Sequence, residues 1–136
     1  MSPLKREFER IKLTPDFYED EFRCPCPRHE RNEPSGVKMD EFFVAMLQDI
    51  RDDARIAFTI TSGYRCPEYQ LEVDPKVPNS SHVRGMAVDI ACTTSFNRYR
   101  IINAAVPRCN RIGIGKEHVH LDSDISLPPA VIWLEE

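Results

Sequence analysis

Apolar residues recur at three- and four-residue steps over one stretch of the chain: Met39, Phe42, Phe43, Met46, Leu47 and Ile50, with Asp40, Glu41, Gln48, Asp49 and Asp52 between them. That period predicts an amphipathic helix of about 14 residues beginning near Asp40. Ala57 to Thr61 is a run of β-formers closed by Ser62-Gly63 and predicts a strand. From Met86 to Cys92 the period shortens to two, with Met86, Val88 and Ile90 alternating against Ala87, Asp89 and Ala91, which predicts a strand with two different faces. Ser95 is placed to cap a second helix carrying Phe96, Tyr99, Ile102 and Val106 in one stripe, ended by Pro107. Arg111 to Gly115 and His118 to Asp122 predict two short strands, and the tail with Val131, Ile132, Trp133 and Leu134 is expected to dock on the body.

The remaining segments are polar or broken. Residues 1–37 carry Pro3, Pro15, Pro25, Pro27 and Pro34 and predict a wrapping arm with short turns. Within it Thr14-Pro15 is a helix-start signal, cut short by Cys24-Pro25-Cys26-Pro27. Pro67 to Asn79, with three prolines, predicts irregular backbone. Helices covering one face of a small, mostly antiparallel sheet fit this order, an α+β fold. We read residues 1–136 as a single domain: the arm, a core over 38–125 and a tail over 126–136.

Composition narrows the function classes. With 41% hydrophobic and 29% charged residues the chain is neither disordered nor fibrous. Eighteen basic against 22 acidic residues give a net charge of -4, which speaks against non-specific nucleic-acid binding. No apolar run approaches the roughly 20 residues of a membrane span, so no membrane insertion is expected. Met1 to Lys12 lacks a continuous apolar stretch, so the expectation is synthesis in the cytoplasm without a signal peptide.

Four histidines occur, at 29, 82, 118 and 120, and three of them fall in two segments. In Ser80-Ser81-His82-Val83-Arg84-Gly85-Met86-Ala87-Val88-Asp89-Ile90 the serines and Gly85 favour irregular backbone and put His82 in a turn. Asp89 follows inside an apolar strand, where a carboxylate is costly to bury unpaired; a divalent metal, Arg84 or Arg65 would each serve as partner. In Glu117-His118-Val119-His120-Leu121-Asp122 a strand turns His118, His120 and Asp122 one way and Val119 and Leu121 to the core. Two imidazoles and a carboxylate make up the donor set of a hydrolytic zinc site, which keeps one position for water. Either segment alone has a plainer explanation, a surface or core histidine pair or a salt-bridged aspartate. Their concentration of so few histidines is what points to metal.

Ser62-Gly63-Tyr64-Arg65, then Ser81-His82-x-x-Gly85-x-Ala87-x-Asp89-Ile90, then Glu117-His118-Val119-His120 resemble the zinc D-alanyl-D-alanine carboxypeptidase family. Its superfamily also holds phage L-alanyl-D-glutamate endopeptidases and the hedgehog signalling domain. Leu13-Thr14-Pro15-x-Phe17 with Glu21-Phe22 resembles the lead-in of its compact single-domain members, so the likeness spans about residues 13 to 125. The resemblance implies one zinc ion and hydrolysis of peptidoglycan stem peptides next to D-amino acids, as a carboxypeptidase or an endolysin-like endopeptidase. It implies His82, Asp89 and His120 as zinc ligands and Glu117 as the group that takes and returns a proton. It further implies that His118 steadies the oxyanion, that Arg65 binds or polarises the substrate carbonyl or carboxylate, and that Ser81 adds a substrate hydrogen bond.

Strand parity complicates one of these roles. Glu117 is three residues from His120 and faces away from it on a regular strand, so its role needs the strand to begin at or after His118. Otherwise His118 or Asp122 is the better proton carrier, and Asp122 and Asp124 are solvated acids or partners of a ligand histidine. The expected partner is the stem peptide, met by a monomer after cell lysis or as part of a phage particle. The rival class is a non-catalytic zinc-stabilised domain or phage structural component; Glu117, His118 and Arg65 together favour the enzyme, since a structural zinc needs none of them.

Five cysteines cannot all pair within the chain and are expected mostly as reduced thiols. Cys24-x-Cys26 with His29 offers half the ligands of a structural zinc site, at a spacing one residue short of the usual; the sequence leaves a second metal, a disulfide and plain thiols all open for them. Cys66, Cys92 and Cys109 are expected to be buried, inert thiols.

Overall fold

Asp40 starts the helix that the apolar period predicts: its carboxylate accepts the Phe43 N–H at 2.9 Å, and α1 runs Glu41–Ala54. One face buries Phe43, Val44, Leu47, Ile50 and Ala54, while Phe42 of the predicted stripe lies exposed. The structure is a computed structural model that describes residues 10–30 and 33–135. Residues 1–9, 31–32 and 136, which belong to the predicted arm and tail, lie outside the described residues.

Among the described residues, seven strands form two sheets. β1 (Lys12–Thr14) and β2 (Phe17–Tyr18) make a small antiparallel hairpin. β3 (Ile60–Ser62), β4 (Ala87–Ala91), β5 (Arg111–Ile114), β6 (His118–Asp122) and β7 (Val131–Leu134) form a five-stranded sheet of order β3-β4-β6-β5-β7. Every pairing in it is antiparallel except β5 with β7. Alternation sends Val88 and Ile90 of β4, Ile112 of β5, and Val119 and Leu121 of β6 into one core with α1. α3 (Ser95–Ala105) completes that layer through Ile101, Ala104 and Ala105. The opposite face of the sheet is free of helices α1 and α3, and the functional residues collect there. The fold is α+β, with helices on one side of a mostly antiparallel sheet.

Several local expectations change. Thr14-Pro15 starts no helix: Thr14 Oγ1 donates to Gln48 Oε1 of α1 at 2.7 Å, and the segment is the turn joining β1 to β2. The predicted strand over Ala57 to Thr61 forms later, at Ile60–Ser62. Pro67 to Asn79 is not irregular throughout. Pro67 occupies the first turn of α2 (Pro67–Val73), where its missing N–H costs nothing. The cap of α3 is Thr94, one residue before Ser95, and its Oγ1 accepts the Asn97 N–H at 3.1 Å. Phe96, Tyr99 and Val106 of the predicted stripe are exposed, because the small residues Ala104 and Ala105 with Ile101 let the opposite face approach α1 closely.

The arm and the tail both contribute to the body. Phe17 and Phe22 are fully buried beside α1, and the tail docks by adding β7 alongside β5. No helix among the described residues is long and apolar enough to cross a membrane.

Candidate metal centre and cleft

Register places the chemistry in one row across the sheet. Ser62 of β3 pairs with Asp89 of β4, Asp89 with His120 of β6, His120 with Gly113 of β5, and Gly113 with Trp133 of β7. All five lie on the helix-free side, since Val88, Ile90, Val119 and Leu121 take the other. A glycine at position 113 is what admits Trp133, because a Cβ there would stand 2.9 Å from the indole and from the Glu135 carboxylate. Gly115 does the same for His118, whose ring would lie 2.3 Å from an added Cβ.

His82 reaches the row from the turn before β4. Its Nδ1–H donates to the Gly63 carbonyl at 2.8 Å, which leaves Nε2 facing Asp89 at 3.6 Å. His120 presents Nδ1 to Asp89 at 3.0 Å and Nε2 to Asp122 at 2.7 Å. One ligand atom each from His82, Asp89 and His120 lie within 4.8 Å of one another, on side chains largely shielded from water. In both imidazoles the nitrogen turned away from that point has an oxygen partner, the arrangement that orients metal-binding histidines.

Charge follows the geometry. Burial disfavours the Asp89 carboxylate, yet hydrogen bonds from His120 and His82 outweigh it and hold the group well below the usual carboxylate range. Burial likewise opposes charge on His120, but its bonds to Asp122 and Asp89 raise it to about 9. Asp122 is lowered against its own burial, chiefly by the His120 hydrogen bond. It also accepts from Arg111 Nε at 2.8 Å and from the Asp124 N–H at 3.1 Å.

The row forms the floor of a cleft of about 620 Å³ lined by Arg65, Val73, Asp74, Val77, Ser80, His82, Asp89, His118, His120, Trp133, Leu134 and Glu135. Arg65 is held in place by Ser62 Oγ at 3.0 Å, Gln70 Oε1 at 3.1 Å and Asp89 Oδ2 at 3.6 Å, so it is the partner that the buried aspartate takes. Arg84 pairs with Asp124 instead. Val73, Asp74 and Val77 supply a wall from within the Pro67 to Asn79 segment. Opposite, Glu135 accepts from His118 Nε2 at 2.6 Å and from Trp133 Nε1–H at 3.0 Å. Asp89, His118 and Glu135 each turn a ligand-type atom to within 4.8 Å of the other two.

Two residues singled out from the sequence lie elsewhere. β6 does begin at His118, but Glu117 is exposed and does not line the cleft. Its carbonyl accepts the Cys92 N–H at 2.9 Å, so the ladder with the β4 segment continues through it and alternation points it away from His118 and His120. Ser81 is buried outside the cleft and donates to Asp124 Oδ2 at 2.7 Å, fixing the turn that carries His82. Asp122 and Asp124 are themselves buried and not solvated. Glu135 and Trp133 escaped sequence reading because nothing near them has ligand spacing. The one available signal was the pair of glycines at 113 and 115 on a strand otherwise rich in isoleucine.

No curated protein matches the chain at a significant level. The family model described as Peptidase M15 matches residues 16–122, close to the span of the motif resemblance and inclusive of every cleft residue discussed except Trp133, Leu134 and Glu135. A match over most of the sequence settles the family: the chain belongs to Peptidase M15, the zinc peptidases of the D-alanyl-D-alanine carboxypeptidase and hedgehog superfamily.

Proposed function

We propose that this peptidase hydrolyses peptidoglycan stem peptides beside a D-amino acid, with zinc held by His82, Asp89 and His120. The observation that carries this reading is the convergence of those three donors on the cleft floor between Arg65 and the His118–Glu135 pair. The donor set fits the ion: two imidazoles with oriented outer nitrogens and one carboxylate that is already ionised. Bound there, zinc would lower the pKa of a water in its open position to about 7 and polarise the scissile carbonyl.

The chain's own groups supply the rest. Glu135 is the carboxylate placed to take a proton from the attacking water and return it to the departing amine, and we assign it the role that the resemblance gave Glu117. His118, bonded to Glu135, is the donor for charge developing on the carbonyl oxygen. Arg65, locked by three acceptors, aligns a carbonyl or a terminal carboxylate of the peptide. Trp133 packs 5.4 Å from the His120 ring and gives the cleft an apolar wall for small side chains such as alanine.

The test is digestion of purified peptidoglycan by the zinc-loaded protein, with mass analysis of the products. Release of stem-peptide fragments, abolished in His82→Ala, is expected. A wall left intact by protein that carries zinc in the cleft would favour the non-catalytic domain.

A further inference from the structure

We infer that Cys24, Cys26, His29 and Cys66 form a second, structural zinc site, apart from the cleft. Cys24 and Cys26 lie on the extended Cys-Pro-Cys-Pro stretch of the arm, and Cys66 precedes Pro67 at the start of α2. Folding brings one ligand atom of each of the four residues within 4.8 Å of the others. Cys26 Sγ and Cys66 Sγ are 3.5 Å apart. Tetrahedral zinc with bonds of about 2.3 Å to sulfur sets its ligand sulfurs about 3.8 Å apart, so little adjustment is needed.

The histidine supplies the second observation. His29 Nε2 is buried and has no hydrogen-bond partner among the described residues, while its Nδ1 lies 3.1 Å from Ser35 Oγ. A buried, unpartnered ring nitrogen is rare, and here it belongs to the ring that shares a point with three thiols. One ring nitrogen engaged by oxygen and the other left open for a ligand bond is the arrangement of a zinc-bound imidazole. Backbone donors already serve the sulfurs as they would serve thiolates: Cys66 N–H donates to Cys24 Sγ and Tyr69 N–H to Cys66 Sγ, both at 3.4 Å.

The other two cysteines act as an internal control. Cys92 donates to the Thr94 carbonyl and Cys109 to the Arg111 carbonyl, as ordinary buried thiols do. Among the described residues, Cys24, Cys26 and Cys66 have no such carbonyl acceptor. Cys66 is therefore removed from the inert thiols with which the sequence grouped it. The Cys24-x-Cys26 spacing works because the third sulfur comes from 40 residues beyond Cys26. The site ties the arm to the segment holding Arg65, beside the bond from Tyr64 N–H to the Phe22 carbonyl at 2.8 Å.

The experiment is replacement of metal by cobalt(II) in the full-length, reduced protein. Two ions per chain are expected, one of them with the intense near-ultraviolet absorption of sulfur-to-cobalt charge transfer. His82→Ala should lose one ion and keep that absorption; Cys26→Ser should lose the other ion and the absorption with it. Absence of charge transfer, or its loss in His82→Ala with retention in Cys26→Ser, would overturn the site. Should Cys26→Ser not fold, alkylation of the unmutated protein decides the matter. Zinc should slow modification of Cys24, Cys26 and Cys66 until a chelator is added; equal rates with and without zinc, or a disulfide among the three, would also overturn it.

Discussion

Replacing Asp122 tests whether stability and metal affinity share one carboxylate. Asp122 is fully buried and accepts three hydrogen bonds, from Arg111 Nε at 2.8 Å, His120 Nε2 at 2.7 Å and the Asp124 N–H at 3.1 Å. Asp122→Ala leaves the Arg111 guanidinium beside the Trp133 ring without its counter-ion, and removing one partner of a buried pair typically costs about 3–5 kcal/mol. That is a large share of the roughly 5–15 kcal/mol that holds a domain folded. Asp122→Asn keeps the shape and one acceptor, so its cost should be nearer 1–3 kcal/mol. Both variants free His120 from the group that orients it, and loss of such a partner weakens metal binding about 10–100-fold. Urea unfolding at pH 7, with and without a fixed free zinc concentration, reads both quantities. Each tenfold loss of affinity removes about 1.4 kcal/mol from the stabilisation that zinc confers. An Asp122→Ala protein within about 1 kcal/mol of the parent, gaining as much from zinc, would refute the ion-pair account.

Gly85 has a φ of 69°, and a Cβ there would lie 1.8 Å from the Lys38 carbonyl oxygen. Gly85→Ala should therefore cost about 3 kcal/mol or more by chemical denaturation, through left-handed strain and loss of the Asp40 N–H to Gly85 carbonyl bond at 2.9 Å. Glu135→Gln should retain zinc by elemental analysis yet lose about 10²–10⁴-fold in peptide hydrolysis, whereas Glu117→Gln should stay near the parent; the reverse pattern would return the proton carrier to Glu117. In metal-free protein His120 is raised to about 9, so its contribution to stability is full below its unfolded value near 6.5 and is lost as pH rises through about 9. The urea midpoint should fall over that window and stay flat in His120→Ala. Asp124 is pulled down to about 2 against its burial by Ser126 and Ser81, which corresponds to roughly 2 kcal/mol present above its unfolded value of 3.8 and lost as pH falls through about 2. Ser81→Ala should weaken that acid resistance in a pH titration of the folded state.

Residues whose neighbours sit close in sequence were legible. The helix from Asp40 follows from its period, and the turn at His82 and the strands that carry Asp89 and His120 follow from local residue types and alternation, whereas the choice of these three as a donor set came from the family resemblance. Misreadings arose where a distant segment decided a local choice. Thr14 gave its hydroxyl to Gln48 and not to a helix end. The outer stripe of α3 lost to Ala104 and Ala105 because α1 was already in place against them. Cys66 is buried as the sequence predicts, but its meeting with Cys26 was out of local reach because that sulfur lies 40 residues away.

Glu135 shows the same point at the cleft. A carboxylate three residues before His120 is visible in the sequence, but β parity with a continuing ladder turns Glu117 away from the row. The acid that does face the row follows β7, which pairs with β5 in parallel, and it has no spacing relation to His82, Asp89 or His120. Its approach depends on two positions that carry no chemistry at all. With side chains at 113 and 115, Trp133, Glu135 and His118 would have no room over β5, and the cleft would keep His82, Asp89 and His120 without the Glu135–His118 pair beside them. In the mechanism proposed above, the glycines at 113 and 115 therefore matter as much as the acid they admit.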